Sequence, residues 1–374
     1  MSISKKLYII AGEASGDLHA ANLMRELTKQ DGSLDFRYWG GDKMQEVRPG
    51  LVKHIRELAF MGFWEVLKNL RTIVKNIKFC KKDILEYKPD AIILVDYPGF
   101  NLRIAEWAKE HGIHVIYYIS PQVWAWKQKR VHKIKKVVDD MYVILPFEKA
   151  FYERFDYPVN YVGHPLLDEI AKHGFDEAQK QDFIDRYALD DRPIIAVLPG
   201  SRRQEVSKKL PIMLAALKSF KDYQIVIAGA PSLDAAFYAP FNNENVKMIA
   251  NETYQLLACS TVAVVTSGTA TLETALFKVP EVVCYKSSRM SYEIAKRLVK
   301  VKYISLVNLI MDKQVVKELI QNDCNEEAIR KEVTRLLKDE NYIATLQENY
   351  VNLEKMLGGG GASAKVAQSL LSKL

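Results

Sequence analysis

Short runs of apolar, mostly β-branched residues recur along the chain, and a polar turn and a helix-forming segment follow most of them. Continuous apolar runs of this length are typical of parallel strands, because helices cover both faces of a parallel sheet. Strands are predicted at 7–11, 35–39, 91–95, 115–119, 143–145, 161–162, 194–198, 224–228, 245–249, 262–265 and 281–285. Their alternation with helices predicts an α/β fold built on parallel sheets.

The alternation is interrupted once, by a polar and helical stretch at 171–192, and a second series of strands follows it. A chain of 374 residues is long enough for two hydrophobic cores. We therefore predict two Rossmann-like domains, at 1–168 and 169–345, followed by C-terminal helices at 346–374. Four glycines at 358–361 would let the last helix return to the first domain or join a partner subunit in a homodimer.

The stretch at 262–277 carries the clearest functional pattern. Its strand ends in a tight turn at Ser267, Gly268 and Thr269, and a helix follows. The start of a helix has unpaired N–H groups and the positive end of the helix dipole, so an anion such as a phosphate can bind there. Glu273, one turn into the helix, could accept hydrogen bonds from two sugar hydroxyls. The alternative is an ordinary Ser/Thr-capped helix with a solvated Glu273.

A second loop of this kind follows the strand at 194–198. Gly200 frees backbone amides there, and Ser201 and Arg202 add hydrogen-bond donors suited to a diphosphate. Both loops follow strands of the same predicted domain. We therefore expect them to converge on one nucleotide.

In the first domain, the loop at 12–17 lacks the GxGxxG spacing of dinucleotide-binding proteins, which disfavours NAD. Carboxylates lie where predicted strands end, and Asp96 is placed as a general base, with Glu13 and Asp17 as the other candidates. Asp17 is equally well explained as the N-cap of the helix that follows it. Asn101 is a better candidate than Asp96 for capping the next helix.

A basic amphipathic segment begins near residue 60. Aromatic and sulfur-containing side chains cluster at its start, at Phe60, Met61, Phe63 and Trp64. An apolar stripe at helical spacing contains Phe63, Leu67, Leu70, Val74 and Ile77, and a basic stripe contains Lys68, Arg71, Lys75, Lys78 and Lys82. This pattern suits a membrane surface or an amphiphilic ligand. The alternative is a helix that faces the core and exposes a basic face.

The net charge of +7 indicates an anionic partner: phosphate groups, a membrane surface or nucleic acid. No RNA-binding signature accompanies the basic segment at 127–136, so nucleic acid is not expected. The four cysteines are scattered without metal-ligand spacing, which favours a reduced, cytosolic protein. No signal-peptide pattern and no apolar run of transmembrane length is present, so any membrane contact would be peripheral.

The ordered motifs of the chain resemble lipid-A-disaccharide synthases, which are GT-B glycosyltransferases. The motifs are GEASGD at 12–17, MGFWEVL at 61–67, the strand ending in Asp96 with Phe100 and Asn101, SPQVWAWKQKR at 120–130, LPFEKAFY at 145–152, LPGSRRQEV at 198–206, SGTATLE at 267–273 and AKRLVK with YISLVNLI at 295–310. The resemblance implies two Rossmann-like domains in the GT-B arrangement.

The resemblance also implies the reaction. The family transfers 2,3-diacylglucosamine, with inversion, from UDP-2,3-diacylglucosamine to 2,3-diacylglucosamine 1-phosphate and releases UDP. It uses no metal and no other cofactor. It works in the cytoplasm, in peripheral contact with the anionic cytoplasmic face of the inner membrane.

By motif, Asp96 corresponds to the family's proposed base and Arg202 to an essential arginine. Glu273 and Asn308 fall in segments of its UDP site. The chain departs from the family at Gly99, where a second acid is common, which weakens any scheme with two carboxylates. Pro165 also stands where some relatives have threonine.

Two other functions are compatible with parts of the pattern. A UDP-N-acetylglucosamine 2-epimerase shares the architecture but has no need of the amphipathic segment, and it would turn over water-soluble UDP-N-acetylglucosamine. A basic, non-catalytic adaptor of membranes or RNA would leave both phosphate loops without a role, and would bind RNA in a salt-sensitive way.

Overall fold

The computed structural model describes residues 4–58, 70–172, 175–231, 233–299 and 301–374. The chain divides into two compact units. The first comprises 1–168 together with 357–374, and the second comprises 169–356. Position 345, where the sequence analysis ended the second domain, lies inside one continuous helix, Glu340–Met356, of the second unit.

A seven-stranded parallel sheet forms the centre of the first unit, in the order β3-β2-β1-β4-β5-β6-β7. Its strands are β1 Lys6–Ala11, β2 Asp35–Gly40, β3 Leu51–His54, β4 Ala91–Val95, β5 His114–Tyr118, β6 Asp140–Val143 and β7 Asn160–Tyr161. Its helices are α1 Ala14–Gln30, α2 Asp42–Gln45, α3 Leu70–Tyr87, α4 Pro98–Glu110, α5 Val131–Val137, α6 Pro146–Glu153 and α7 Pro165–Lys172. The division between the units falls inside α7, after Asp168.

A six-stranded parallel sheet forms the centre of the second unit, in the order β10-β9-β8-β11-β12-β13. Its strands are β8 Ile194–Leu198, β9 Gln224–Gly229, β10 Val246–Ala250, β11 Ser260–Thr266, β12 Glu281–Tyr285 and β13 Lys317–Ile320. Its helices are α8 Glu177–Arg186, α9 Arg203–Leu217, α10 Ala235–Tyr238, α11 Thr253–Ala258, α12 Thr269–Leu276, α13 Arg289–Leu298, α14 Leu306–Met311, α15 Glu326–Lys338 and α16 Glu340–Met356.

The order of the strands reverses at one place in each sheet, between β1 and β4 and between β8 and β11. These central strands are almost wholly buried, which agrees with their continuous apolar sequences. In open parallel sheets, ligands bind beyond the carboxyl ends of the strands at such a reversal. The predicted phosphate and carboxylate loops follow these four strands.

The edge strands β3 and β13 were not predicted from the sequence. Each has four residues and is largely half-exposed, and neither has a continuous apolar run. Their pairing with β2 and β12 depends on a neighbour that is distant in the sequence. Local pattern alone therefore gives little reason to predict them.

The last helix, α17 Ala362–Leu371, belongs to the first unit and packs against α1. The Asp168 carboxylate accepts hydrogen bonds from the backbone N–H groups of Gly361 and Ser363, at the start of this helix. Tyr142 and Ser369 share a hydrogen bond of 2.8 Å between their hydroxyls. Of the two destinations left open for this helix, the structure places it on the first unit, and homodimer formation stays a prediction.

Helix α3 buries a polar group against the sheet. The Asp83 carboxylate accepts hydrogen bonds from the Tyr8 hydroxyl at 2.7 Å and from Arg37 Nε at 3.0 Å. Trp39 Nε1 donates to the Tyr8 oxygen at 2.8 Å. A buried carboxylate requires several donors, and here β1 and β2 supply them. The hydrogen bonds therefore join α3 to these two strands.

The apolar stripe predicted around α3 does not all face the core. Val74, which belongs to the stripe, is 49% exposed, and the exposed Arg71 precedes it by three residues. Phe79, which lies outside the stripe, is 45% exposed. The other residues predicted to contact a membrane or acyl chains lie outside the described residues: Phe60, Met61, Phe63, Trp64, Leu67 and Lys68. None of the helices in the described parts of the chain has the length and apolar character needed to span a bilayer.

Glu281, the first residue of β12, is an unusual member of the core. It is fully buried, and neither carboxyl oxygen has a hydrogen-bond partner among the described residues. Burial raises its pKa well above the usual range for glutamate. Burial without a partner thus favours the neutral form of the carboxyl group, and its desolvation reduces stability.

Replacing Glu281 by methionine should stabilise the second unit, because the variant keeps the volume and removes the unpaired polar atoms. The expected gain is about 1–3 kcal/mol, seen as a higher midpoint of thermal unfolding. Wild-type stability should also decline as pH rises above the usual glutamate pKa, because only the unfolded chain ionises there, and Glu281→Met should lack this decline. Glu348→Met, at an exposed position, is the control, and an unchanged or lower midpoint for Glu281→Met would contradict the prediction.

Candidate functional site

In the first unit, the loops after β1 and β4 bring Glu13 and Asp96 to the same edge of the sheet, since Ala11 pairs with Val95. Asp96 and Tyr97 both adopt left-handed backbone conformations, with φ of 46° and 48°. Two successive non-glycine residues in this region are strained, and such strain persists only where the surroundings hold it. The strain marks this turn as a functional candidate.

Asn101 and Tyr117 hold the turn. The Asp96 carbonyl accepts hydrogen bonds from Asn101 Nδ2 at 2.8 Å and from the Tyr117 hydroxyl at 2.5 Å. The buried Asn101 amide also lies within 3.4 Å of the Ile10 carbonyl and 3.3 Å of the Val95 carbonyl. The prediction that Asn101 caps the helix is wrong, because the N-cap of α4 is Tyr97, and Asn101 joins the ends of β1 and β4 instead.

Gly12 and Tyr97 determine the shape of this edge. A Cβ atom added to Gly12 would lie 2.3 Å from the Tyr97 ring, so only glycine allows the ring to cross the β1 loop. The same ring stacks on Phe100, with centroids 5.6 Å apart. Tyr97 had no role in the sequence-based predictions, although its position directly after Asp96 could have indicated one.

Asp96 has the electrostatics of a base that works near neutral pH. Burial raises its pKa to about 6, the negative charge of Glu13 adds to the rise, and the Tyr97 N–H partly offsets it. The side chain keeps some exposure to solvent. A carboxylate in this state is mostly ionised at pH 7, yet is a stronger base than an ordinary aspartate.

Asp17 has a structural role. Its buried carboxylate accepts hydrogen bonds from the backbone N–H groups of Gly41 at 2.7 Å, Lys43 at 3.1 Å and Met44 at 3.2 Å. It therefore caps α2, 25 residues further on, and does not cap the helix in which it lies, whose N-cap is Glu13. With three donors on its oxygens, Asp17 is a poor candidate for a base.

In the second unit, two helix N-termini meet beyond β8 and β11. Arg202 is the N-cap of α9 and Gly268 is the N-cap of α12, and neither helix start has a side-chain cap in the described structure. Gly200, with φ of 109°, lies close to the end of β11, since a Cβ atom added to it would be 3.3 Å from Thr266 Cγ2. Both helix starts thus direct the positive end of a helix dipole to one edge of the sheet, where an anion can bind.

A pocket of about 270 Å³ lies beside these helix starts, at the carboxyl ends of β11 and β12. Most of its lining side chains are polar or basic: Gln204, Glu205, Lys208, Lys209, Thr266, Ser267, Tyr285, Lys286, Ser287 and Ser288. Arg202 is exposed at its edge and donates to Glu205 Oε1 at 3.2 Å, and Ser201 beside it is exposed. The lining suits a phosphorylated ligand.

The predicted residues around α12 have different surroundings. The Ser267 hydroxyl donates to the Ile304 carbonyl at 2.8 Å and so holds the segment before α14. Thr269 is exposed at the first position of α12. Glu273 accepts a hydrogen bond from the Tyr254 hydroxyl at 3.1 Å, and burial raises its pKa, so it is not the solvated side chain of the simpler alternative.

Asn308 holds the local backbone. It is fully buried in α14, and its Oδ1 accepts from the N–H groups of Val315 at 2.7 Å and Val316 at 2.9 Å. Its Nδ2 donates to the Val316 carbonyl at 2.9 Å and to Glu318 Oε1 at 2.8 Å. These four bonds use the full capacity of the amide, so Asn308 positions the segment and does not contact a ligand directly.

Lys209 is a functional candidate that the sequence pattern did not reveal. It is 2% exposed and donates a hydrogen bond to Thr266 Oγ1. It lies in α9, the helix whose N-cap is Arg202. Among the described residues, no group of three or more histidine, cysteine, aspartate or glutamate side chains is arranged to hold a metal ion. Metal independence stays a prediction.

Comparison with known proteins identifies the family of the chain. The family model described as Lipid-A-disaccharide synthetase matches residues 7–369. The lipid-A-disaccharide synthase of Trichlorobacter lovleyi is 39% identical, over 98% of this chain and 97% of that protein. The enzyme of the same name from Geobacter sulfurreducens is 38% identical, over 99% and 98%.

Solved structures support the fold. The UDP-GlcNAc 2-epimerase of Neisseria meningitidis, solved with UDP-GlcNAc, aligns with a TM-score of 0.69 at 15% identity, over 98% of this chain and 100% of that one. CalG4, the calicheamicin glycosyltransferase, aligns with a TM-score of 0.62 at 15% identity, over 99% of each chain. At this identity the likeness concerns the fold alone, and it confirms the two-domain GT-B class.

Proposed function

The chain belongs to the lipid-A-disaccharide synthase family of glycosyltransferases, and we propose that it joins two acylated sugars. It transfers 2,3-diacylglucosamine from UDP-2,3-diacylglucosamine to the 6-hydroxyl of 2,3-diacylglucosamine 1-phosphate. The products are the β-1,6-linked disaccharide 1-phosphate and UDP. The observation that carries the proposal is the strained turn that presents Asp96, with its pKa near neutrality, at the reversal point of the first sheet.

Asp96 is the general base. It takes the proton from the acceptor 6-hydroxyl as that oxygen attacks the anomeric carbon of the donor, and the attack inverts the configuration. Glu13 contributes its negative charge, which strengthens the base by raising the Asp96 pKa. Asp17 is left out of this step because its carboxylate caps α2.

The second unit holds UDP. The diphosphate binds at the starts of α9 and α12, where the positive ends of two helix dipoles lie beside the Gly200–Arg202 and Ser267–Thr269 loops. The Arg202 guanidinium adds positive charge, so the chain itself stabilises the leaving group and no metal is required. Glu273 accepts hydrogen bonds from hydroxyls of the nucleotide, and Asn308 keeps the neighbouring segment in place.

Both substrates carry apolar acyl chains that reside in a membrane, so the enzyme must reach them at the membrane surface. On α3, the exposed Val74 lies among basic residues at helical spacing, Arg71, Lys75 and Lys78. Exposed apolar and basic side chains on one helix suit the surface of an anionic bilayer. We place the protein as a peripheral enzyme at the cytoplasmic face of the inner membrane.

The direct test supplies the donor and acceptor in detergent, with EDTA, and measures UDP and disaccharide 1-phosphate. Equimolar products that form only when the acceptor is present are expected. Turnover of water-soluble UDP-N-acetylglucosamine to its epimer, without disaccharide, would instead identify an epimerase. Loss of activity in EDTA would contradict the metal-free scheme.

The activity should depend on pH through Asp96. Because the base must be ionised, kcat/KM should rise with pH and level off above about 6. Glu13→Gln removes a negative charge beside Asp96, so it lowers the Asp96 pKa and moves the rise to lower pH. Glu110→Gln, at an exposed position at the end of α4, is the control and should leave the profile unchanged. An unshifted profile in Glu13→Gln would contradict the coupling.

Membrane contact should depend on the aromatic start of the basic segment. Replacing Phe63 and Trp64 by serine should reduce binding to vesicles that contain an anionic phospholipid, because the apolar anchor is lost while the charge stays. Co-sedimentation with such vesicles measures this. Leu85→Ser, which changes an exposed apolar residue near the C-terminal end of α3, is the control. Unchanged binding of the double variant would remove the aromatic anchor from the proposal.

A further inference from the structure

Lys209 is a buried cation with unused hydrogen-bonding capacity. It is 2% exposed, and its ammonium donates to Thr266 Oγ1, the last residue of β11. An ammonium group has three N–H donors, and Thr266 is its hydrogen-bond partner in the described parts of the chain. Burying a charge without full pairing is costly, so such a lysine is rarely explained by folding alone.

Lys209 lies close to the starts of both α9 and α12. It lies two turns into α9, and its Nζ would be 3.7 Å from a Cβ atom added to Gly200. Thr266 is followed directly by Ser267 and Gly268, where α12 begins. The ammonium therefore lies beside the loop after β8 and the loop after β11.

Basic and hydroxyl side chains surround Lys209, and they favour the binding of an anion. Lys208, Lys286 and Ser288 line the same pocket, and Lys286 is held by the carbonyls of Gln321 at 3.3 Å and Cys324 at 3.1 Å. Glu205 is the acid in the pocket lining, and its carboxylate accepts a hydrogen bond from Arg202 Nη1 at 3.2 Å. Burial lowers the pKa of Lys209, and the charge of Glu205 opposes that change. Three lysines and one glutamate line the pocket, so a bound dianion would balance its positive charge.

We propose that the Lys209 ammonium binds the diphosphate of UDP from inside the protein and stabilises the negative charge of the leaving group. This inference rests on the proposed function, since it takes UDP as the ligand of the second unit. Lys209 would add a full positive charge to the partial charges of two helix starts. It would also make the site prefer UDP over uridine, which has no phosphate.

The test measures the affinities of UDP and uridine by calorimetry, without added metal, for the wild type, Lys209→Met, Lys209→Arg and Lys218→Met. Loss of a charge-assisted hydrogen bond predicts that Lys209→Met weakens UDP binding about 10- to 100-fold. Uridine affinity should stay the same, and Lys209→Arg should recover part of the preference for UDP. Lys218→Met removes a charge at the exposed C-terminal end of the same helix and should change neither affinity.

Two results would overturn the role of Lys209 and leave the proposed function standing. One is unchanged UDP affinity in Lys209→Met. The other is an equal loss for UDP and uridine, which would mean that Lys209 only supports the local fold. Failure of the wild type to bind UDP would overturn the proposed function itself, together with this inference.

Discussion

Parallel strands deliver their carboxyl ends to the same edge of a sheet, and the functional loops of both units depend on this constraint. In the first unit it places the β1 and β4 loops side by side, and in the second it does the same for β8 and β11. Both pairs lie where the strand order reverses, so no helix crosses between them on its way to a neighbouring strand. Ala11 pairs with Val95 and Leu198 with Val265, so loops that are far apart in sequence become neighbours.

The two units use this edge differently. The first stores backbone strain at Asp96 and Tyr97, on the order of 1–3 kcal/mol for each residue. Hydrogen bonds from the buried Asn101 and Tyr117 side chains to the Asp96 carbonyl hold the strained turn, which leaves the carboxylate itself to titrate. The second unit leaves two helix starts without side-chain caps and adds basic side chains around them. One unit thus offers a base, and the other offers positive potential.

The sequence predicted the central strands well because their patterns are local. β4, β8 and β12 have the predicted bounds, and each combines a continuous apolar run with a turn at its end. The edge strands β3 and β13 were missed because half-exposed strands lack such runs. The motif resemblance supplied the family, which no hydrophobic pattern could have done.

The roles of individual polar residues were harder to predict, because their partners lie far away in the sequence. Asp17 caps α2, and Asn308 bonds to β13 and the turn before it; in sequence both resemble ligand contacts. Lys209 is one of 53 lysine and arginine residues, and only the fold reveals that its ammonium is buried. Burial and hydrogen-bond partners are tertiary properties, and they decide which polar residues remain available for chemistry.

The central claim is that Asp96 performs the proton transfer while the second unit binds UDP independently. The most direct measurement determines turnover and UDP affinity side by side for the wild type and Asp96→Asn, with thermal unfolding as the control for folding. If Asp96 is the base, turnover falls at least about 100-fold while UDP affinity and the unfolding midpoint stay the same. Near-normal turnover in Asp96→Asn with normal UDP binding would contradict the claim.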